Sequence, residues 1–194
     1  MGNDVSAELS LKQDYPTCRF MGAHPIEAYA HPFKEVLGGE YYEFAVGSTN
    51  GTKTLSLRSS EGEDKKVELE SRDLASFMAG DLNLKGKTLD HLWMDMKGVE
   101  YEIVRDIMLP DYLNRADVTF CQWNVEFLTP MKDEPNETVV TMHTFDGVLK
   151  PLAKMHILPL YIDHSTNLKA FFFNFASSHC RWKFIDDKCT DTGL

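Results

Sequence analysis

Apolar residues recur along this chain at two spacings that take turns, one suited to strands and the other to helices. The least ambiguous change falls between Lys87 and Met108. Leu89, Leu92, Trp93 and Met94 form a nearly continuous apolar run, the pattern of a strand covered on both faces. Asp95, Lys97, Gly98 and Glu100 interrupt it, and Val99, Ile103, Val104, Ile107 and Met108 then return at helical spacing. The pattern predicts strand, turn and helix. In an open α/β sheet ligands gather at the carboxyl ends of strands, which makes Asp95 and the Gly98 turn a candidate site. The competing reading is that Asp95 or Glu100 caps the helix and Gly98 only permits the turn.

Upstream, Val5 to Asp14 predicts a helix with Val5, Leu9 and Leu11 inward, and Cys18 to Met21 a short strand ending at Gly22-Ala23-His24-Pro25. Ile26 to Leu37 has helical character interrupted by Pro32 and ended by Gly38-Gly39. Tyr41 to Val46 reads as a buried strand, and Thr54 to Leu57 with Val67 to Leu69 as an edge hairpin around the charged loop Glu61 to Lys66. Asp73 is placed to cap a helix running to Met78 and closed by Gly80.

Downstream, Val118 to Phe127 predicts a strand with Val118, Phe120 and Val125 buried. Its polar residues Asn124 and Glu126 share one face. Glu137 to Lys150 predicts a helix stopped or kinked by Pro151, with Val140, Phe145, Val148 and Leu149 inward. Ile157 to Ile162 and Leu168 to Phe175 form a strand pair, and Ser177 to Ile185 a last short helix. This alternation predicts an α/β fold: a doubly wound, mostly parallel sheet with an antiparallel last strand. One domain over residues 1–185 and a frayed tail over 186–194 follow.

Composition narrows the functions. A chain of 194 residues with 43% hydrophobic and 26% charged residues has enough apolar content for one sizeable core. A net charge of -10 and no basic stripe argue against nucleic acid as a partner. No apolar run approaches bilayer length and no leader is visible, so a soluble chain, cytoplasmic by preference, is expected, with oligomeric state open. Cys18, Cys121, Cys180 and Cys189 lack metal-ligand spacing. Cys18 and Cys121 read as small buried apolar residues, while Cys180 and Cys189 would pair in an oxidising compartment or stay reduced. Asn50-Gly51-Thr52 and Asn136-Glu137-Thr138 fit the N-glycosylation pattern, which arises often by chance, and without a leader both are set aside.

Leu92-Trp93-Met94-Asp95-Met96-Lys97-Gly98-Val99-Glu100 resembles the fourth-strand motif of FkbM-type methyltransferases, an apolar run leading into Asp-x-Glu-Gly-x-Glu. Tyr15-Pro16-Thr17-Cys18-Arg19-Phe20, Gly22-Ala23-His24-Pro25, Ala45-Val46-Gly47 and Cys121-Gln122-Trp123-Asn124-Val125-Glu126 match further motifs of that family, most closely of the branch expanded in nematodes. Lys97 stands where the family has Glu, and His24 where it has an acid. The sequence opens at what would be the second glycine of the family's Gly-x-Gly loop, so a class I, Rossmann-like sheet lacking its first strand is expected.

That resemblance implies transfer of the methyl group of S-adenosylmethionine to the hydroxyl of a small molecule or glycan, with no metal. By carry-over, Gly2 and Asn3 would approach the methionine part of the cofactor, His24 the ribose, Ser48 the adenine and Asp95 the charged end. Lys97 and Glu100 would lie at the mouth, and Gly98 and Glu100 count among the cofactor-binding residues. Asp95 and Glu126 are the catalytic candidates, with His143 a third choice of base. The absent strand, His24 and Lys97 together support an alternative, a catalytically inactive binding or scaffold protein or an incomplete gene product. A dinucleotide-dependent oxidoreductase would need a Gly-x-Gly-x-x-Gly that this chain lacks.

Overall fold

A computed structural model describes residues 4–58, 64–96, 99–107, 116–127, 142–165 and 167–186. The chain forms two compact units, Met1–Phe77 and Met78–Leu194. Each is a mixture of strands and helices.

In the first unit, α1 (Ser6–Asp14) lies behind a small core of Val5, Phe33 and Leu37, joined by Leu9, Phe20 and Tyr41. Leu11, expected inward, is exposed. β1 (Met21–Ala23) pairs in parallel with β2 (Glu40–Tyr42), Gly22 opposite Tyr41. The strand therefore starts later than the apolar run Cys18 to Met21, because its register is set by its partner. Helical turns at Glu27–Tyr29 and Pro32–Val36 connect the two, Pro32 starting the second rather than breaking a longer one. Gly39 is required by packing, since a Cβ there would lie 2.5 Å from the Phe33 ring.

The single strand expected over Tyr41 to Val46 is divided at Glu43-Phe44. β3 (Ala45–Gly47) joins a separate sheet, pairing in parallel with β5 (Asp64–Asp73), while β4 (Gly51–Arg58) runs antiparallel to β5. Phe44 turns instead into a cluster with Tyr42 and Phe77, ring centroids 5.1 to 6.1 Å apart. Asp73 caps α2 (Leu74–Ser76) as expected, its Oδ1 accepting from the Ser76 amide at 3.0 Å. The helical path then widens over Phe77–Asp81, past Gly80.

The second unit contains β6 (Lys87–Met94), α3 (Glu100–Ile107), β7 (Val118–Phe127), α4 (Met142–Lys154), β8 (Ile157–Asp163), β9 (Leu168–Asn174) and α5 (Ser178–Arg181). The strands lie in the order β6-β7-β9-β8. β6 and β7 are parallel, and β9 is antiparallel to both of its neighbours, so the antiparallel last strand stands as expected. Instead of one continuous sheet, the described residues form three.

Trp123, Val125, Phe127, Phe172, Ile103, Val104 and Leu152 are wholly inside, each large side chain contributing about 1.5 to 3 kcal/mol by leaving water. β6 departs from its predicted double coverage: only Met94 is buried, and Trp93 is 57% exposed. An edge strand has a single neighbour to pack beside. α4 runs through Pro151 to Lys154. Phe145, Val148 and Leu152 are all buried on it, and their burial offsets the roughly 3 kcal/mol that an internal proline costs.

Cys121 of β7 and Cys180 of α5 form a disulfide, Cα atoms 5.2 Å apart. Both are fully buried, packed with Phe173 and flanked by Phe175, Phe184 and Ile185. Cys180 thus has a partner other than Cys189, which lies outside the described residues, and Cys121 is more than a small apolar filler. Among the described residues no helix is long and apolar enough to cross a membrane.

Candidate functional site

Asp95 and Glu126 lie at the carboxyl ends of β6 and β7. In this pair Trp93 stands opposite Asn124 and Met94 opposite Val125. Asp95 follows β6 directly, and Glu126 follows Val125 in β7. Asp95 is half-buried just beyond the strand. Glu126 is tied across the sheet, its Oε1 accepting from Asn167 Nδ2 at 2.8 Å and its Oε2 lying 3.6 Å from the Lys169 ammonium on β9. Asn124 and Glu126 share one face of β7, as their spacing predicts.

Glu100, the first residue of α3, is completely buried, and its Oε1 accepts from the Met96 amide at 2.5 Å. This bond staples the strand end to the helix start, as a capping carboxylate does. This bond fits the capping reading of Glu100. Next to it, Tyr101 packs on Phe127 with centroids 4.5 Å apart. Burial, aided by the charge of Glu100, pushes the Tyr101 hydroxyl up to about 12. Lys97 and Gly98 fall outside the described residues, as do Gly2 and Asn3, and the His143 side chain is likewise outside the description.

In the first unit, His24 follows β1 and its amide donates to Tyr42 O at 3.1 Å. Its Nδ1 accepts from the Ile26 amide at 3.1 Å, and its ring meets Tyr29 edge-on at 4.6 Å. An acceptor Nδ1 places the proton of a neutral imidazole on Nε2. Nδ1 of His24 therefore serves the turn. Tyr41 braces the same turn, its hydroxyl 2.6 Å from Ile26 O and 3.0 Å from His24 O. Burial, with the neighbouring Glu43 and Tyr29, pushes that hydroxyl to about 12. Ser48 is half-buried immediately beyond β3. The rest of its loop is tied to β5, with Ser71 Oγ donating to Thr49 O at 3.3 Å and the Asp73 amide to Asn50 Oδ1 at 2.9 Å.

Other chemistry lies elsewhere. A cavity of about 350 Å3 in the second unit is lined by Ile107, Asp117, Val118, Phe120, Trp123 and Asn174 among others. These residues surround the amino end of β7, opposite to Asp95 and Glu126. Trp123 Nε1 and His91 Nε2 are buried without a hydrogen-bond partner among the described residues, and burial pulls the His91 imidazole down. From sequence, His91 reads as a satisfied structural or surface histidine and Trp123 as one of the groups at the far end of its strand. Among the described residues no three His, Cys, Asp or Glu side chains gather closely enough to hold a metal.

The mixed α/β elements, with a parallel strand pair followed by helices, are consistent with a methyltransferase-like fold. The Methyltransferase FkbM domain matches residues 7–155, and the chain belongs to that family. The match runs through both compact units. Comparison with curated proteins and with solved structures finds no match.

Proposed function

We propose that this chain is an S-adenosylmethionine-dependent methyltransferase that methylates a hydroxyl of a small molecule or glycan. The observation that carries the reading is that Asp95 follows β6 at the carboxyl end of a parallel strand pair, ahead of α3, within a chain of the FkbM family. The order β6-β7-β9-β8 with β9 reversed suits the antiparallel ending expected of a class I methyltransferase sheet. The cofactor would supply a methyl group already activated by a sulfonium.

The protein's tasks are then to align the acceptor and remove its proton. By carry-over from the family, Asp95 is assigned to the cofactor's cationic end, Ser48 to the adenine and His24 to the ribose. Glu100 ties the Met96 amide to the start of α3, and Glu126 is held by Asn167 and Lys169; Asp95 and Glu126 are the candidates for taking the acceptor's proton.

Calorimetric titration with S-adenosylmethionine tests the reading, and micromolar binding is expected. Asp95→Asn should weaken binding about tenfold if the carboxylate meets the cofactor's charge, the scale of one charge-assisted hydrogen bond. If Asp95 instead takes the proton, turnover falls while binding is kept. One specific observation favours a second reading: the acid's place is taken by a histidine whose Nδ1 is committed to Ile26. An absence of binding even at millimolar cofactor would make the chain a methyltransferase-like binding or scaffold protein.

A further inference from the structure

The buried disulfide and one motif that the proposed chemistry leaves unused point to the same surroundings. Disulfides between fully buried cysteines form and persist in oxidising compartments, and Cys121 and Cys180 are such a pair. Asn-x-Ser/Thr segments are modified in the secretory branch of those compartments, provided that the asparagine is at the surface. We propose that Asn50 of Asn50-Gly51-Thr52 carries an N-linked glycan, acquired in the compartment where Cys121 and Cys180 are oxidised. This stands apart from methyl transfer and runs against the cytoplasmic preference taken from the sequence.

The local geometry suits the modification. Asn50, Gly51 and Thr52 are all exposed, at the bend where the chain leaves β3 and enters β4. Gly51 has φ +140°, and a Cβ added there would meet nothing within 4 Å, so the bend is surrounded by open space. Asn50 Oδ1 accepts from the Asp73 amide at 2.9 Å. Its Nδ2, the atom that would be modified, has no hydrogen bond among the described residues. A glycosylated amide keeps its carbonyl oxygen as an acceptor, so the bond that anchors the loop to β5 survives. Ser48, two residues earlier, is half-buried where Asn50 is exposed.

The transfer balances without an oxidant. Nδ2 forms a bond to C1 of a sugar carried on a polyprenyl diphosphate. The C1–O bond breaks, the diphosphate departs with the electron pair, and the amide loses one proton. Separately, the Cys121 and Cys180 thiols give up two electrons and two protons to a protein disulfide of the same compartment, which is reduced to a dithiol.

The test is peptide mapping, without reduction, of the protein recovered from cells that make it. The Asn50 peptide is expected to carry a hexosamine-based glycan, and peptide N-glycosidase in heavy-oxygen water is expected to convert Asn50 to Asp with uptake of one heavy oxygen. The Cys121 and Cys180 peptides should be recovered linked. An unmodified Asn50 peptide beside an intact disulfide overturns the glycan, and free Cys121 and Cys180 thiols overturn the compartment and the glycan together. As a second arm, the full chain is sent through the secretory pathway of cultured cells. Thr52→Ala leaves Asn50 and its bond to Asp73 in place, and it should abolish the gel shift that the glycosidase removes, while Thr52→Ser should keep it. A shift that persists unchanged in Thr52→Ala belongs to another asparagine and overturns the assignment.

Discussion

Tyr101 and Glu100 are neighbours that share one problem, a polar group taken out of water. Glu100 meets it with the Met96 amide, whereas Tyr101 meets it by holding its proton. The folded chain keeps that proton from pH 10, the ordinary tyrosine value, up to about 12. The unfolded chain loses it across that interval, so it binds fewer protons, and stability is full below pH 10 and falls as pH rises toward 12. Urea midpoints followed against pH should drop over this window together with the rise of tyrosinate absorbance. Tyr101→Phe should flatten the drop, leaving the share that belongs to Tyr41, which is displaced in the same direction. His24 shows how far single residues could be read from sequence. The substitution for an acid was visible, but the commitment of Nδ1 to Ile26 depends on the turn and was not. Glu126 is similar: its face followed from period two, its partners Asn167 and Lys169 from a long-range pairing that no local pattern contains.

The elements most legible in the sequence are those whose reasons are local. β6, α3 and the Asp73 cap rest on periodicity and capping chemistry, and a strand, a helix and a cap are found in those places. Boundaries set by partners were harder: β1 starts at Met21 because Glu40 does, and the strand expected over Tyr41 to Val46 divides because Phe44 belongs with Phe77. α4 is a contest between a local rule and burial. Pro151 should have stopped the helix, yet Leu152 beyond it is fully buried with Val148 and Phe145. The penalty is balanced rather than absent, so Pro151→Ala should raise the unfolding free energy by about 1 to 3 kcal/mol. Urea denaturation with an unchanged m-value would show it.

For the molecule as a whole, the long-range links decide what holds together. In the second unit the Cys121–Cys180 bond spans 59 residues of sequence, and on loop-closure grounds it stabilises by about 4 kcal/mol. Reduction of purified protein should lower its unfolding free energy by roughly that amount, measured from denaturant midpoints with and without a thiol reductant. Which cysteines pair is an outcome of folding, which is why spacing alone set Cys180 beside Cys189 and made Cys121 a small apolar residue. The order β6-β7-β9-β8 is a consequence of the same kind, since β7 chooses a partner across the α4 and β8 segments.

The bond also sets how the chain would respond to tension. A force applied at its two ends can draw out whatever precedes Cys121, but the load bypasses the segment of 59 residues behind the crosslink. At about 3.3 to 3.6 Å per residue, roughly 200 Å of contour stays hidden until a reductant frees it. Pulled in a single-molecule trap, the oxidised chain would behave as a much shorter tether than its length suggests.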